Sequence, residues 1–543
     1  MATAVAAVGS CVTLGAVTTT PGAQASVRVP ASRTGAHRAV ADVTWPAPQW
    51  VTRTVTGSSV GYVAQSSPTA ATVGGRTIVA VGAENGYVYL TDAKTGAELP
   101  GWPRRMAAPA GASVAIESSP TIAWLDGPDK PPSIIVGSGS TWVPDTVGEV
   151  EAFRLDGAVR WVFRVGAAPG TAIGVISSPA VGDLTGNGQQ DVVFGSWDHN
   201  LYALSPNGKV LPGFPYNAAD TIWSSPSLYR LSGHAGADIF LASDASGRAV
   251  SSSPGARHCY GGFLGDYRYV HHAVVREWYH CENQVIWSSP AVGMIGSSHR
   301  PVVVVGTGFY YQPFPSDTDK VLAYYADNGA PVPGWPVSTA GPALGSPAIG
   351  VIDGSGTPSV VETTWVCTTP ERTGCFTGYQ SQVDAWSGSG TLLWSRKLVG
   401  PTDLASPVLV PLRGESTDDV LVGSPAGLYP LSGSTGAYLF GTNGTYRAAT
   451  VNAGCAVYNS VAAIDVPGVG PRSGWHVFEG CGGPSALHHP GELASYRLPV
   501  QPSSAAAWPM FRGSPQHDGV AFTSLPGVQP PVPGVTTTTS ATP

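Results

Sequence analysis

A Ser-Pro dipeptide followed by a short apolar stretch returns seven times along the chain, at Ser67-Pro68, Ser119-Pro120, Ser178-Pro179, Ser225-Pro226, Ser289-Pro290, Ser346-Pro347 and Ser406-Pro407. An eighth, degenerate copy stands at Asn459-Ser460-Val461. From Pro68 to Val461 is 393 residues over seven intervals, a mean of about 56. A repeat of that length holds four short strands with their turns, and it must stack on its neighbours to bury its faces. Composition agrees. With 69 glycines, 49 prolines and only 12% charged residues, the chain lacks the material of amphipathic helices and suits short strands joined by tight turns. Hydrophobic residues at 43% are too many for a disordered chain, so an all-β fold with a large core is predicted.

Copy three shows the internal order best. Residues 177–182 read as strand one, a Gly-rich turn through Gly186 and Gly188 leads to strand two at 191–195, strand three follows at 201–204, and 210–215, Val-Leu-Pro-Gly-Phe-Pro, reads as strand four. Leu99-Pro100-Gly101-Trp102-Pro103 and Val332-Pro333-Gly334-Trp335-Pro336 are its equivalents. Proline is tolerated in a strand only at a sheet edge, so this strand is expected outermost. Four-stranded sheets repeated radially make a β-propeller. Eight copies predict eight blades, seven being the alternative count, with the last sheet completed by the segment around Trp508 to His517 or by N-terminal residues near Trp45 to Val55.

The stretch Ser177-Ser178-Pro179-Ala180-Val181-Gly182-Asp183-Leu184-Thr185-Gly186-Asn187-Gly188-Gln189-Gln190-Asp191-Val192-Val193-Phe194-Gly195 resembles an FG-GAP or VCBS repeat, the unit of integrin α-like propellers. Turn segments such as Val88-Tyr89-Leu90-Thr91-Asp92-Ala93-Lys94-Thr95-Gly96 resemble quinoprotein-like (PQQ-like) repeats. Trp508-Pro509-Met510-Phe511-Arg512-Gly513-Ser514-Pro515-Gln516-His517 is similar to a segment common at the ends of such secreted propellers. The resemblance spans roughly 60–520 and bears on fold more than on function. It implies a calcium loop in copy three. Side-chain oxygens of Asp183, Thr185, Asn187 and Asp191 and the backbone carbonyl of Gln189 would ring one structural Ca²⁺, of modest affinity because only two ligands are charged. The sixth copy aligns Val351, Asp353, Ser355 and Ser359 there and loses both end carboxylates. One site is expected.

In a meander, the connections from strand two to three share a face with the linkers from strand four to the next blade. The insertions at 141–146, 246–265, 307–318, 363–382 and 480–492 all follow strand two and crowd that face. They carry Trp142, Phe309, Tyr310, Tyr311, Phe314, Trp365, Phe376 and Tyr379. Of these, Trp142, Phe309, Tyr310, Tyr311, Trp365 and Tyr379 are the candidate ligand-binding aromatics. The cysteines other than Cys11 form three local pairs on the same face, and disulfides are expected between Cys259 and Cys281, Cys367 and Cys375, and Cys455 and Cys481.

Residues 1–25 contain no charge, run apolar from Ala4 to Val17 and end Ala23-Gln24-Ala25, which reads as a secretory signal peptide without the usual Lys or Arg ahead of its apolar run. Residues 26–59 form a lead-in, 60–522 the propeller and 523–543 a low-complexity, disordered tail. No later apolar run reaches membrane-helix length. The formal charge of −7 argues against a nucleic-acid partner. Residues 258–282 are dense in His, Tyr and carboxylates, but the adjacent His271 and His272 would point to opposite faces of a strand and cannot serve one site. The reading is a secreted, monomeric, calcium-stabilised and non-catalytic binding or adhesion propeller that recognises a glycan or an extracellular protein. The alternatives are a polysaccharide lyase or hydrolase and, more remotely, a quinone-dependent dehydrogenase, against which stands the absence of an adjacent Cys-Cys pair.

Overall fold

The computed structural model describes residues 45–521 apart from short internal stretches, the longest being 245–260, 440–454, 368–378 and 309–318. Residues 1–44 and the 523–543 tail lie outside the described residues. Apart from a two-stranded hairpin, Val55–Thr56 with Ser59–Val60, strands follow one another as antiparallel meanders in eight sheets. Blades 1 to 8 open with Thr69–Val73, Thr121–Ala123, Ala180–Gly182, Ser227–Tyr229, Ala291–Gly293, Ala348–Gly350, Val408–Val410 and Ala462–Val466. Seven blades have four strands, and three strands of blade 7 are described. The chain is an eight-bladed propeller. Second strands such as Asp191–Gly195 are buried at every position, because neighbouring blades cover both faces, whereas no residue of the outer strand Val159–Arg164 is buried.

The N-terminal segment closes the ring. Trp50–Arg53 pairs antiparallel with the third strand of blade 8, Trp50 opposite Ser495 and Arg53 opposite Glu492, as its outermost strand. In copy three, strands two and three stand where the repeat placed them, but strand four is only Tyr216–Asn217. The Pro-Gly-Phe-Pro segment is instead the turn before it, in which Phe214-Pro215 is a cis peptide bond, as are Trp102-Pro103 and Trp335-Pro336. A proline-bearing turn cannot donate to a ladder, so the outer strand begins after it.

Those turns are latches. Trp102 donates Nε1–H to the carbonyl of Leu155 in blade 2 at 2.9 Å, and Trp335 to that of Gly388 in blade 6 at 3.1 Å. Blades 2, 4, 6 and 8 use a different device. Trp161, Trp278, Trp394 and Trp50, on outer strands, donate to Pro206, Ala326, Gly433 and Ala93 of the next blade. Each of these rings lies against a turn glycine, Gly208, Gly329, Gly436 or Gly96, where a Cβ would meet the indole at 2.5–2.7 Å. Blades 1 and 5 thus use the first latch, and blades 2, 4, 6 and 8 the second.

Each serine of Ser-Ser-Pro has a place in the inner wall. The first serine ties its own blade together: Gly82, Gly137, Gly195 and Gly306, at the ends of second strands, donate N–H to Oγ of Ser66, Ser118, Ser177 and Ser288 at 2.9–3.2 Å. The second serine ties blades to each other. The N–H of Ser67 reaches Oγ of Ser119, Ser119 that of Ser178, Ser178 that of Ser225 and Ser225 that of Ser289, all at 2.8–2.9 Å. Ser289 continues to Ser346, Ser346 to Ser406, Ser406 to Ser460 and Ser460 back to Ser67, at 2.8–3.2 Å. Eight buried amides are satisfied by one closed circuit.

Beneath this ring, residues 507–521 fill the axial channel. Carbonyls of Trp508, Pro509, Pro515, Gln516, Asp518 and Gly519 accept the amides of Leu409, Ala463, Ile122, Val181, Leu228 and Val292, so the segment winds past blades 7, 8, 2, 3, 4 and 5 in turn. Arg512, 1% exposed, donates to the carbonyls of Pro290 and Pro226, and the buried His517 bridges Thr69 and Thr121 of blades 1 and 2. The Trp508 to His517 segment therefore plugs the propeller and does not complete a sheet.

Candidate functional site

The face formed by the strand two to three connections, here the upper face, carries the mouth of the channel. Eight side chains, each two residues before a ring serine, surround it: Gln65, Glu117, Ile176, Trp223, Trp287, Leu344, Leu404 and Tyr458. With Phe511 of the plug rising from below, they leave a cavity of about 70 Å³. That is room for a few waters, against the roughly 300–1,000 Å³ of ordinary ligand pockets.

The mouth is two-sided. Toward blades 3 to 5, Trp197, Trp223 and Trp287 form a staircase with ring centroids 4.8 and 4.7 Å apart, continued by the packed Leu344 and Trp365. Trp287 donates Nε1–H to Asp244 Oδ2 at 3.1 Å. Burial, reinforced by the charge of Asp220, pushes the Asp244 carboxyl up to about 8, so it is largely protonated at neutral pH. Toward blades 1 and 2 stand Glu84 and Glu117. Glu117 Oε1 accepts from Ser140 Oγ and from the amide and hydroxyl of Thr141 at 2.5–2.9 Å. Burial, then the charge of Glu117, holds the Glu84 carboxyl well above its usual range.

The aromatic residues expected to bind ligand fare unequally. Trp142, Phe309, Tyr310 and Tyr311 lie outside the described residues, as do Phe314 and Phe376. Tyr379 opens the third strand of blade 6 opposite Cys367. Trp365 is 4% exposed, packed with Val285 and Leu344. The cause is that strand two of blade 6 does not end where the repeat predicts a loop at 363, but runs on as Ser359–Cys367, placing Trp365 opposite Ser381 in the ladder. The residues missed by the sequence reading are the mouth residues. Their signal was the column just before Ser-Ser-Pro, where Trp223 and Trp287 recur.

Cys455 and Cys481 form the expected disulfide, Cα atoms 5.6 Å apart, at the upper end of blade 8. Cys281 is also disulfide-bonded, while Cys259 and Cys375 lie outside the described residues. His271 and His272 form the exposed turn of the long hairpin Phe263–Val270 and Ala273–Cys281, not strand positions, and adopt positive φ. Tyr269 and His272 contact one another there at 3.3 Å.

The copy-three turn lies at the lower face. Asp183 caps it: Oδ1 accepts the amides of Gly186 and Asn187 at 2.7 and 3.2 Å, and Oδ2 that of Gly188 at 2.8 Å. Asn187 Oδ1 accepts the amide of Gln189 at 2.8 Å, and Thr185 Oγ1 lies 3.4 Å from Asp183 Oδ1. Asp191 accepts the amide of Leu184 at 3.2 Å, and burial, with the charge of Asp183 adding, raises its carboxyl to about 6. In the sixth copy, Asp353 Oδ1 accepts the amide of Ser355 at 2.9 Å.

Fold and mouth together define an eight-bladed β-propeller with a self-filled axis. No protein-family model matches the chain, and no curated protein sequence does. Among solved structures it is similar to the quinohemoprotein alcohol dehydrogenase from Comamonas testosteroni, with a TM-score of 0.54 and 13% identity over 86% of this chain and 78% of that one. It is also similar to the quinohemoprotein alcohol dehydrogenase ADHIIG from Pseudomonas putida HK5, at 0.53 and 12% over 86% and 77%. BamB from Moraxella catarrhalis follows at 0.46 and 14% over 83% and 98%. At such identities the likeness is one of fold alone.

Proposed function

We propose that this chain is a secreted, non-catalytic binding propeller that engages a glycan or an extracellular protein through its upper face. The observation that carries this reading is the filled axis. The chain's own residues 507–521 occupy the channel and leave about 70 Å³ above them, too little for a tricyclic quinone or a small-molecule substrate. What the mouth offers is surface: stacked indoles beside the Asp244 carboxyl, which is largely protonated at neutral pH and can donate as well as accept, a combination that suits sugar hydroxyls and their C–H faces. The Cys455–Cys481 disulfide is compatible with an oxidising compartment, and no helix among the described residues is long and apolar enough to cross a membrane.

We also propose that copy three is of FG-GAP type and binds one Ca²⁺. The donor set fits in kind: two neighbouring carboxylates, a hydroxyl, an amide oxygen and a backbone carbonyl on a glycine-rich turn. A cation between Asp183 and Asp191 would offset the burial of Asp191 and the charge of Asp183, which together raise its carboxyl.

Glycan-array binding with the mature protein tests the main reading, run beside a quinone-supplemented dye-reduction assay and a uronate-lyase absorbance assay. Retention of a glycan class, lost in Trp223→Ala while the fold holds, is expected. Turnover in either enzyme assay would overturn it.

A further inference from the structure

The lower face carries a second, differently built groove. Between blades 1 and 2 it encloses about 670 Å³, within the range of ligand sites. Its floor is apolar, from Leu99 and Pro100 of blade 1 and Pro132 and Leu155 of blade 2. Its walls hold four cations, Arg76, Lys130, Arg154 and Arg160, against two carboxylates, Asp126 and Asp156, in a chain whose formal charge is −7.

Two of the cations are engaged. Arg160 grips Asp126 with both terminal nitrogens at 2.5 Å, and Arg76 bonds Asp92 at 2.6 Å. Lys130 and Arg154 are exposed and held in no ion pair among the described residues, although both lie close enough to Asp126 to act on its charge. Three cations therefore converge on one carboxylate that Arg160 already holds, and positive charge is left over at the lip. Asp156 has one oxygen on the amide of Ala158 at 3.0 Å and keeps acceptor capacity toward solvent.

We propose that this groove binds a carboxylated sugar chain, a polyuronate. Lys130 and Arg154 would take its carboxylates, Asp126 and Asp156 would accept from its hydroxyls, and Leu99, Pro132 and Leu155 would cover ring C–H faces. An acidic peptide fits less well, because its donors lie only along the backbone, whereas each ring of a 1,4-linked polyuronate carries free hydroxyls at C2 and C3 together with its carboxylate. This inference is independent of the upper-face reading.

Calorimetric titration with polygalacturonate, neutral dextran and poly-glutamate tests it. Polygalacturonate binding that weakens with salt, absent for dextran, is expected. Lys130→Glu/Arg154→Glu should weaken it about tenfold or more, with an unchanged melting temperature, and Lys209→Glu, which reverses an exposed charge of blade 3 outside the groove, should leave it intact. Should charge reversal perturb the fold, Lys130→Gln/Arg154→Gln provides the same readout. No binding to polygalacturonate, binding indifferent to these substitutions, or poly-glutamate bound as tightly would overturn the proposal, the last assigning the groove to an acidic peptide.

Discussion

Ser460 donates its backbone N–H to Oγ of Ser67 at 3.1 Å across 393 residues of sequence, and that bond closes the circuit of eight serines. Blade 8 meets blade 1 through it on the axis, while Trp50–Arg53 completes blade 8 at the rim. The ring is thus sealed twice, by groups at its inner and outer radii.

Replacing Ser67 with Ala removes the acceptor and leaves the buried amide of Ser460 without its partner. A loss of about 1–3 kcal/mol is expected in urea denaturation. Stability within error of the parent would mean that water substitutes in the circuit.

At the rim, Trp50 packs on Gly96 and Phe478 and donates to Ala93. Trp50→Ala should cost about 2–3 kcal/mol, below the 3–5 typical of a fully buried aromatic because the ring is only half-buried. The same denaturation series checks it.

Gly208 and Gly233 both adopt positive φ, at 74° and 87°, but only Gly208 lies under an indole, 2.6 Å from where a Cβ would meet Trp161. Gly233→Ala should cost about 1 kcal/mol from backbone strain alone. Gly208→Ala should cost about 1–3 kcal/mol more, from displacement of the latch. Equal losses in thermal melts would remove the latch from the account.

Burial, aided by the charge of Arg512, lowers the His517 imidazole to about 3. An unfolded chain protonates this histidine near pH 6.5 and the folded one does not, so its contribution is present above about 6.5 and is lost progressively as pH falls toward 3. His517→Gln should therefore lose less stability than the parent between pH 6.5 and 4, each tenfold difference in proton affinity being worth about 1.4 kcal/mol. Asp244 has the opposite sign. Its carboxyl is raised to about 8, so stability falls as pH rises from about 4, where the unfolded chain ionises, to about 8, and Asp244→Asn should flatten that fall. Melting temperature against pH for the three proteins measures both.

If copy three binds calcium, millimolar Ca²⁺ should raise the melting temperature by mass action. Asp183→Ala should abolish the response and Asp353→Ala should leave it intact. No shift in the parent, or identical behaviour of the two variants, would reduce the turn at Gly186 and Gly188 to a turn.

The eight-bladed fold was legible because Ser-Ser-Pro is a local signal repeated at a fixed interval: each copy makes the same bonds to its own second strand and to its neighbour, so one reading serves all. Second and third strands of copy three were legible for the same reason, their residues being buried on both faces. The Cys455–Cys481 bond followed from proximity in sequence. What tertiary structure decided lies where partners are distant in the chain. Whether Trp50 or Trp508 completed blade 8 could not be read from either segment, since both are short and apolar, and only the closed ring shows the first at the rim and the second in the channel. Trp365 looked like an exposed loop aromatic until the ladder of blade 6 was seen to continue past it to Cys367. The mouth residues follow the same rule: Glu84 with Glu117, and Trp197 with Trp223 and Trp287, come from different turns, and their proton affinities and stacking arise only when eight blades bring those turns around one axis and shut water out.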